Sequence, residues 1–190
     1  MQPVAIVPAS VGWTDEFHEV AGGLRACLGG LALRIDHIGS TSVPGLAAKD
    51  VIDVQVTVQE LDMDRLVPVF ESAGYVHHAT NPGDHRPPGT IGSDQDWAKL
   101  FFSPRDGRPV HVHVRVIDRP NQRYALLFRD YLRAHADAAA AYAELKRRLA
   151  ALGLSRQTYS EVKDPACDII IAGARDWAAA TGWKPGPTDA

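Results

Sequence analysis

The sequence predicts an α+β fold: a mixed or antiparallel β-sheet with helices packed mainly on one face. Two observations support this. Segments with strand character dominate the chain from residue 31 to residue 117, and apolar residues at helical spacing dominate the remaining C-terminal part. Strands followed by a run of helices are typical of the α+β class. The 190 residues are 45% hydrophobic and contain no linker-like stretch, so we expect one domain over residues 1–182 and a flexible C-terminal tail over 183–190.

The start of the chain is predicted to form a helix, two strands and a second helix. Thr14 is a suitable N-cap for a helix that ends at Gly29. Leu31 to Ile38 and Val51 to Val58 are predicted strands, joined by a tight turn and a loop. Asp62 to Ala73 has helical character and is followed by a glycine.

The middle of the chain combines short strands with one long polar segment. Tyr75 to His78 is a short predicted strand, and Thr80 to Asp96 is rich in proline and glycine. Loops of this length are often lids or binding loops. Trp97 to Ser103 and Pro109 to Ile117 are two further strands, and the Asp106-Gly107 pair between them predicts an antiparallel hairpin.

Helices are predicted for the remainder of the chain. Two of them follow Pro120 and end before Gly153. Ser155 is expected to cap a short helix that runs through Lys163. Asp164-Pro165 is expected to begin a separate last helix, because aspartate at the N-cap and proline at the first helical position are typical of a helix start.

The charge pattern and the hydropathy argue against two classes of partner, nucleic acids and membranes. The 20 basic and 23 acidic residues are interleaved and give a formal charge of −3, so no broad positive field exists for nucleic acid and a small ligand is expected. No apolar stretch approaches the roughly 18 residues needed to span a bilayer, and no signal sequence is visible. We therefore expect a cytoplasmic protein. Apolar helix faces suit a core and an interface equally, so no oligomeric state is predicted.

A small-residue turn and a lone carboxylate are the first candidate site. Gly39-Ser40 ends the first predicted strand, and the hydroxyl groups of Thr41 and Ser42 come next, so backbone amides and hydroxyls could approach a phosphate closely. Asp53 lies in an otherwise apolar strand, where a carboxylate is costly unless it meets a metal, a cation or hydrogen-bond donors. The alternative interpretations are that Gly39-Ser40 only turns the chain and that Asp53 is paired for structural reasons.

The segment from Val110 to Val116 alternates strictly between valine and polar residues. The alternation places His111, His113 and Arg115 on one face and the valines on the other. Solvent exposure of the polar face is one explanation. The other is that His111 or His113 joins Asp53 across the sheet as a metal ligand or acid-base group.

Several charged residues near the C-terminal end and in the long loop are secondary candidates. Tyr159 and Lys163 share one helix face, from which the amine could reach an anion, although surface packing is the simpler interpretation. The run Lys146-Arg147-Arg148 is predicted to be a solvated helix face, with Glu144 paired to the last arginine. Asp84-His85-Arg86 lies in the loop, which could close over a ligand.

Together these residues resemble the GrpB family, which is placed within the polymerase-beta-like nucleotidyltransferase superfamily. The resemblance covers almost the whole chain. Its most specific part is the stretch His-Ile-Gly-Ser-Thr-Ser-Val-Pro-Gly-Leu. It is carried by Ile6-Val7-Pro8, His37 to Lys49, Ile52-Asp53, His111-Val112-His113, Phe128 to Leu132 and Tyr159 to Lys163.

The resemblance implies a phosphate-binding turn beside a metal site. In the superfamily a Gly-Ser turn holds the triphosphate, and a pair of acids two residues apart, helped by a third carboxylate, binds two divalent metals. Gly39-Ser40 matches the turn and Asp53 the first acid, but the second acid is replaced by Gln55, and the neighbouring strand offers His111 and His113. Imidazole suits manganese or zinc better than magnesium, so we expect one divalent ion: Mg²⁺ or Mn²⁺, or else Zn²⁺.

The implied function is that of a metal-dependent nucleotidyltransferase-like protein acting on a nucleoside triphosphate and a small acceptor. One alternative is a catalytically silent module that binds a nucleotide or another phosphorylated small molecule. Another is a histidine-rich metal site, including His37, that serves hydrolysis or structure. The implied residues are Asp53, His113 and Lys163 for catalysis, Gly39, Ser40, Thr41, Ser42, Lys49, Tyr159 and Lys163 for the nucleotide, and Asp53, Gln55, His111 and His113 for the metal.

Overall fold

The computed structural model describes residues 4–190, so residues 1–3 of the predicted domain lie outside the described part. The described chain contains five α-helices and five β-strands. In chain order they are α1 (Gly12–Leu28), β1 (Arg34–Ile38), β2 (Ile52–Val58), α2 (Met63–Ser72), β3 (Tyr75–His77), β4 (Leu100–Pro104), β5 (Val110–Val116), α3 (Pro120–Ala134), α4 (Ala136–Ala151) and α5 (Arg156–Thr181).

The strands form one mixed sheet in the order β1-β2-β5-β4-β3. The central pair β2 and β5 is parallel, and every other neighbouring pair is antiparallel. Asp53 is opposite Ile38 on one side and His111 on the other. The predicted α+β class is confirmed, and the arrangement is consistent with a nucleotidyltransferase-like fold.

The apolar face of the sheet forms the main core with α1 and α2. The alternate residues of β2 that point to this face are buried, and so are Val110, Val112 and Val114 of β5, as the alternation in β5 predicts. Phe17 of α1 and Phe70 of α2 are at most 1% exposed and pack against this layer. Burying a large apolar side chain stabilises the fold by about 1.5–3 kcal/mol, so this face anchors the sheet on which the site is built.

The opposite face carries polar residues and is covered in part by α3. The Gln55 amide donates to the backbone carbonyl of Gln122 at 3.2 Å, and Asn121 donates to the carbonyl of Ala98 at 2.9 Å. α4 and α5 pack on α3. Helices thus lie on both faces of the sheet, although packing mainly on one face was expected. This second helical layer forms one wall of the candidate site.

The predicted helix break at Asp164-Pro165 is wrong, because α5 continues through Pro165. An interior proline removes one helical hydrogen bond and costs about 3 kcal/mol. Tyr159, Cys167 and Ile171 are all buried, so an apolar stripe extends on both sides of the proline. Packing of this stripe outweighs the local preference of the Asp-Pro pair.

The last residues, expected to form a flexible tail, lie along the edge strand β1. The Thr188 hydroxyl accepts from the Ile35 amide at 3.0 Å, and the Asp189 carboxylate accepts from the His37 amide at 2.9 Å. Arg129 of α3 also donates to Asp189, at 2.6 Å. The contacts cover an otherwise unpaired sheet edge. Mobility of this segment stays a prediction.

Among the described residues, no helix combines the length and apolar character needed to cross a membrane.

Candidate functional site

The turn after β1 brings its glycine against Asp53. Gly39 has φ 69° and ψ −170°, a conformation that essentially only glycine adopts. A Cβ atom at this position would collide with the carboxylate and Cβ of Asp53. The glycine is therefore required twice, once by its backbone angles and once by the close approach of the neighbouring strand.

The three hydroxyl groups of this turn have different roles. The Ser42 hydroxyl donates to the Gly39 carbonyl at 2.6 Å, and the Thr41 hydroxyl lies 3.0 Å from Nε2 of His37. These two bonds stabilise the turn itself, so the two hydroxyls predicted to bind nucleotide are already engaged. The Ser40 hydroxyl accepts from Lys146 at 2.8 Å and lines two cavities.

Asp53, His111 and His113 form a compact cluster on the polar face of β2 and β5. Oδ1 of Asp53 lies 3.1 Å from Nδ1 of His111 and 3.9 Å from Nε2 of His113. One potential ligand atom from each residue lies within 4.8 Å of the others. Burial raises the pKa of Asp53, but the hydrogen bond to His111 and the proximity of His113 outweigh it and hold the pKa well below its usual range. The carboxylate is thus ionised at neutral pH.

The two histidines differ in how well they suit a metal. Nδ1 of His113 lies 3.4 Å from the Lys99 amine and 3.3 Å from the Arg115 guanidinium, both of which donate. Nδ1 is therefore the acceptor, and the ring proton sits on Nε2, which faces Asp53. A metal-binding histidine normally points its second nitrogen at an acceptor. Asp53 and His111 thus fit one ion, whereas His113 fits better as a donor that orients the carboxylate.

Burial and the nearby Arg115 charge lower the pKa of His113 to about 4. The ring is therefore neutral at physiological pH. The neutral ring directs its Nε2 proton toward Asp53, whose Oδ1 is 3.9 Å away, without adding a positive charge to the cluster.

Gln55, predicted as a metal ligand, is committed elsewhere. Its carbonyl oxygen accepts from Arg115 at 2.7 Å, and its amide nitrogen donates to α3. The side chain is fully buried and both of its polar groups are satisfied. The structure therefore does not bring Gln55 into the metal cluster, because its carbonyl oxygen is engaged by the Arg115 guanidinium.

A buried ionic network connects Gln55 and Arg115 to Asp84 in the long loop. Asp84 accepts from Arg115 at 2.7 and 2.9 Å, from Lys99 at 2.8 Å and from Asn121 at 3.1 Å. Burial raises the pKa of Asp84, but Arg115 and Lys99 hold it well below its usual range. His85 next to it contacts Asp168 of α5 at 3.0 Å. The loop is thus docked against the site.

Lysines gather on the other side of the turn. Lys49, Lys146 and Lys163 line one cavity of about 320 Å³, which we call the lysine cavity. Burial and the charge of Lys163 lower the pKa of Lys146 to about 7. The Lys49 amine stacks over the Tyr159 ring at 4.2 Å. Like charges brought together in a partly buried space favour an anionic ligand.

A second cavity of about 270 Å³ lies between the turn, the polar sheet face and α3, and we call it the aromatic cavity. Its walls include Trp97, Tyr124 and Phe128. Asp53 and the Gly39-Ser40 turn border both cavities. The full set of residues shared by the two cavities is Gly39, Ser40, Asp53, His113, Tyr142 and Lys163.

Comparison with known families identifies the chain. The model for the family described as GrpB protein matches residues 3–172. The chain belongs to the GrpB protein family. The crystal structure of conserved protein GrpB from Enterococcus faecalis is similar to this chain, with a TM-score of 0.64 and 29% identity, over 86% of this chain and 97% of that one.

Sequence relatives of this GrpB-family chain include longer proteins. A dephospho-CoA kinase of Mycolicibacterium paratuberculosis is 38% identical over an alignment that covers 96% of this chain and 49% of the kinase. A UPF0157 protein of Pseudomonas aeruginosa is 35% identical over an alignment that covers 90% of this chain and 67% of that protein. The chain spans about half the length of the dephospho-CoA kinases that it matches.

Most of the predicted site residues converge in this GrpB-family fold, and some important neighbours were missed. Lys146 was predicted to be solvated, yet it is 3% exposed and donates to Ser40, while Arg148 does pair with Glu144 as predicted. The spacing of Tyr142, Lys146 and Leu149 on one helix face is the signal that could have indicated its burial. Trp97 and Asn121 were missed because they reach the site from a short 3-10 turn and a helix start, which local patterns do not position, whereas Asp84 was a secondary candidate in the long loop.

Proposed function

We propose that this GrpB-family chain binds a nucleoside triphosphate with one divalent ion and transfers its nucleotidyl group to a small acceptor. The observation that carries the proposal is the contact of the Gly39 turn with Asp53, at the boundary between the metal cluster and the lysine cavity. Phosphate binding and metal binding would thereby occur at adjacent positions on one rigid pair of strands.

The lysine cavity supplies the charge for the phosphates. Backbone amides of the Gly39-Ser40 turn would donate to the triphosphate oxygens, as small-residue turns do in other phosphate sites. Lys146, held by Ser40 and by the Ala47 carbonyl at 2.5 Å, and Lys163 would offset the charge of the phosphates. Lys49 would add a third positive charge at the cavity wall.

Asp53 and His111 would hold the ion, and His113 would orient Asp53 through its Nε2 proton. A bound divalent ion would supply charge neutralisation at the phosphate oxygens. In the transfer, the acceptor oxygen or nitrogen would form a bond to the α-phosphorus and release its proton to solvent. The bond from that phosphorus to the bridging oxygen would break, and pyrophosphate would leave beside Lys146 and Lys163. Fixed positive groups aimed at developing charge are usually the largest contribution to catalysis.

A second candidate, a catalytically silent nucleotide-binding module, is favoured by one specific observation. Gln55 stands at the position of the second acid and its carbonyl oxygen accepts from Arg115, so this position offers no carboxylate for a second metal. Such a module would bind nucleotide and ion and be stabilised by them without turnover.

The test measures pyrophosphate release from ATP, GTP, CTP and UTP with Mn²⁺ or Mg²⁺ and a panel of hydroxyl and amine acceptors. Activity is expected with wild-type protein and is expected to fall at least 100-fold in Asp53→Asn. Asp64→Asn on α2, an exposed position on the opposite sheet face, is the matched control. Nucleotide binding without pyrophosphate release across the panel supports the silent module instead. Equal release by wild type and Asp53→Asn contradicts the proposed site.

A further inference from the structure

Two buried polar atoms, on residues that line the aromatic cavity, have no hydrogen-bond partner within the described residues 4–190. They are the indole nitrogen Nε1 of Trp97 and the amide oxygen Oδ1 of Asn121. Trp97 is 3% exposed and Asn121 is 2% exposed, and both residues line the cavity. Buried polar groups are nearly always paired in native proteins, so an unpaired donor and acceptor beside one cavity indicate a ligand that completes them.

The orientation of the Asn121 amide is determined by its neighbours. Its nitrogen donates to Asp84 at 3.1 Å and to the Ala98 carbonyl at 2.9 Å, and both partners are acceptors. Exchanging nitrogen and oxygen would place the amide oxygen against these acceptors. Asn121 therefore presents an acceptor, and Trp97, whose indole nitrogen can only donate, presents a donor.

The walls around this pair are aromatic. The Trp97 and Tyr124 rings meet edge to face with centroids 6.0 Å apart, and the Tyr124 and Phe128 rings are stacked at 6.1 Å. Flat apolar walls favour a planar ring as the ligand. A planar ring with an acceptor and a donor on its edge is the chemistry of a nucleobase, because every base carries both kinds of group.

We infer that the aromatic cavity binds the base of the nucleotide, with Trp97 donating to a ring acceptor and Asn121 accepting from a ring or exocyclic N–H. This inference rests on the proposed function for its phosphate half, since the turn and Asp53 border both cavities. The base would lie on one side of Asp53 and the outer phosphates on the other. The cavity volume of about 270 Å³ is at the lower end for small-molecule sites, as a single nucleoside requires.

The test separates the base from the phosphates by using nucleosides and inorganic tripolyphosphate as independent probes. Calorimetric titration measures the affinity for adenosine, guanosine, cytidine and uridine, and for tripolyphosphate with Mn²⁺. Trp97→Phe removes the N–H and keeps a ring, and Ala125→Leu on α3 fills the cavity while both polar groups remain in the chain. Trp177→Phe, the same exchange on α5 away from the cavity, is the control.

At least one nucleoside is expected to bind, with an affinity about 5- to 30-fold weaker in Trp97→Phe, as expected for one lost hydrogen bond. Ala125→Leu is expected to weaken it at least as much, whereas tripolyphosphate binding and the thermal midpoint stay close to wild type. Absence of nucleoside binding overturns the inference, as does binding unaffected by both cavity variants. Tripolyphosphate binding then still supports the phosphate site. Trp97-dependent nucleoside binding without tripolyphosphate binding supports the base cavity and counts against the proposed function.

Discussion

Replacement of Gly39 by alanine tests the close contact between the turn and Asp53, because it should lower the free energy of unfolding. The backbone at φ 69° and ψ −170° costs a non-glycine residue about 1–3 kcal/mol. The new Cβ atom would also collide with Asp53, and overpacking of this kind costs a further ~1–3 kcal/mol. The free energy of unfolding is therefore expected to fall by about 2–6 kcal/mol. Each kcal/mol lowers the thermal midpoint of a protein this size by about 2–4 °C.

The matched control is Gly45→Ala in the loop after the turn. Gly45 also has a positive φ, 76°, but no atom lies within 4 Å of a Cβ built there, so only the backbone cost of about 1–2 kcal/mol applies. Urea unfolding of both variants measures the difference. If Gly39→Ala is no less stable than Gly45→Ala, the close contact with Asp53 does not exist. Adding Asp53→Ala to Gly39→Ala should recover part of the collision cost, giving a coupling energy of about 0.5–3 kcal/mol.

Two further predictions concern buried charges, and a third concerns metal binding. Because the pKa of Lys146 in the folded chain is about 7, below an unfolded value of about 10.4, its burial cost is fully present below pH 7 and is relieved as pH rises. The stability of wild type relative to Lys146→Met should therefore rise by roughly 2–4 kcal/mol between pH 7 and pH 10 in urea titrations. Arg115→Met should cost about 3–5 kcal/mol in the same assay, because it leaves the Asp84 carboxylate buried with fewer partners. His111→Ala should weaken Mn²⁺ binding at least 10-fold in calorimetry, and His113→Ala should weaken it less.

Each of these predictions is contradicted by a different result. A flat difference in stability with pH would contradict the burial of the Lys146 charge, and Lys184→Met in an exposed position is the control. A cost below about 1 kcal/mol for Arg115→Met would show that the network is not desolvated. Equal losses of Mn²⁺ affinity for the two histidine variants would contradict the assigned ring proton on His113, and His78→Ala, whose ring contacts Ser103, is the control.

The parts of the site that local patterns predict are those carried by strands. Strict alternation is enough to place His111 and His113 on one face of β5, and the apolar strand around Asp53 indicates a central position. The Gly39 turn is also predictable, since it directly follows the strand that pairs with the strand of Asp53. These residues meet because strands repeat every two residues and pair side by side.

The rest depends on contacts between distant segments. Asp84 enters the site from a long loop whose course is determined by its bonds to Arg115 and Lys99. Lys146 is buried because α4 packs beside the turn, although the two residues that follow it are arginines. Pro165 shows the opposite effect, in which a strong local signal for a helix start is overridden by an apolar stripe on both sides. Tertiary packing decides all three, and local propensity does not contain it.

The most direct test of the central claim is an anomalous diffraction map from crystals of this chain soaked with Mn²⁺ and ATP. We expect one manganese peak bound by Asp53 and His111, next to the Gly39-Ser40 turn, with the triphosphate directed toward Lys146 and Lys163. A manganese peak at other residues, or triphosphate bound outside the lysine cavity at saturating ligand, would contradict the account.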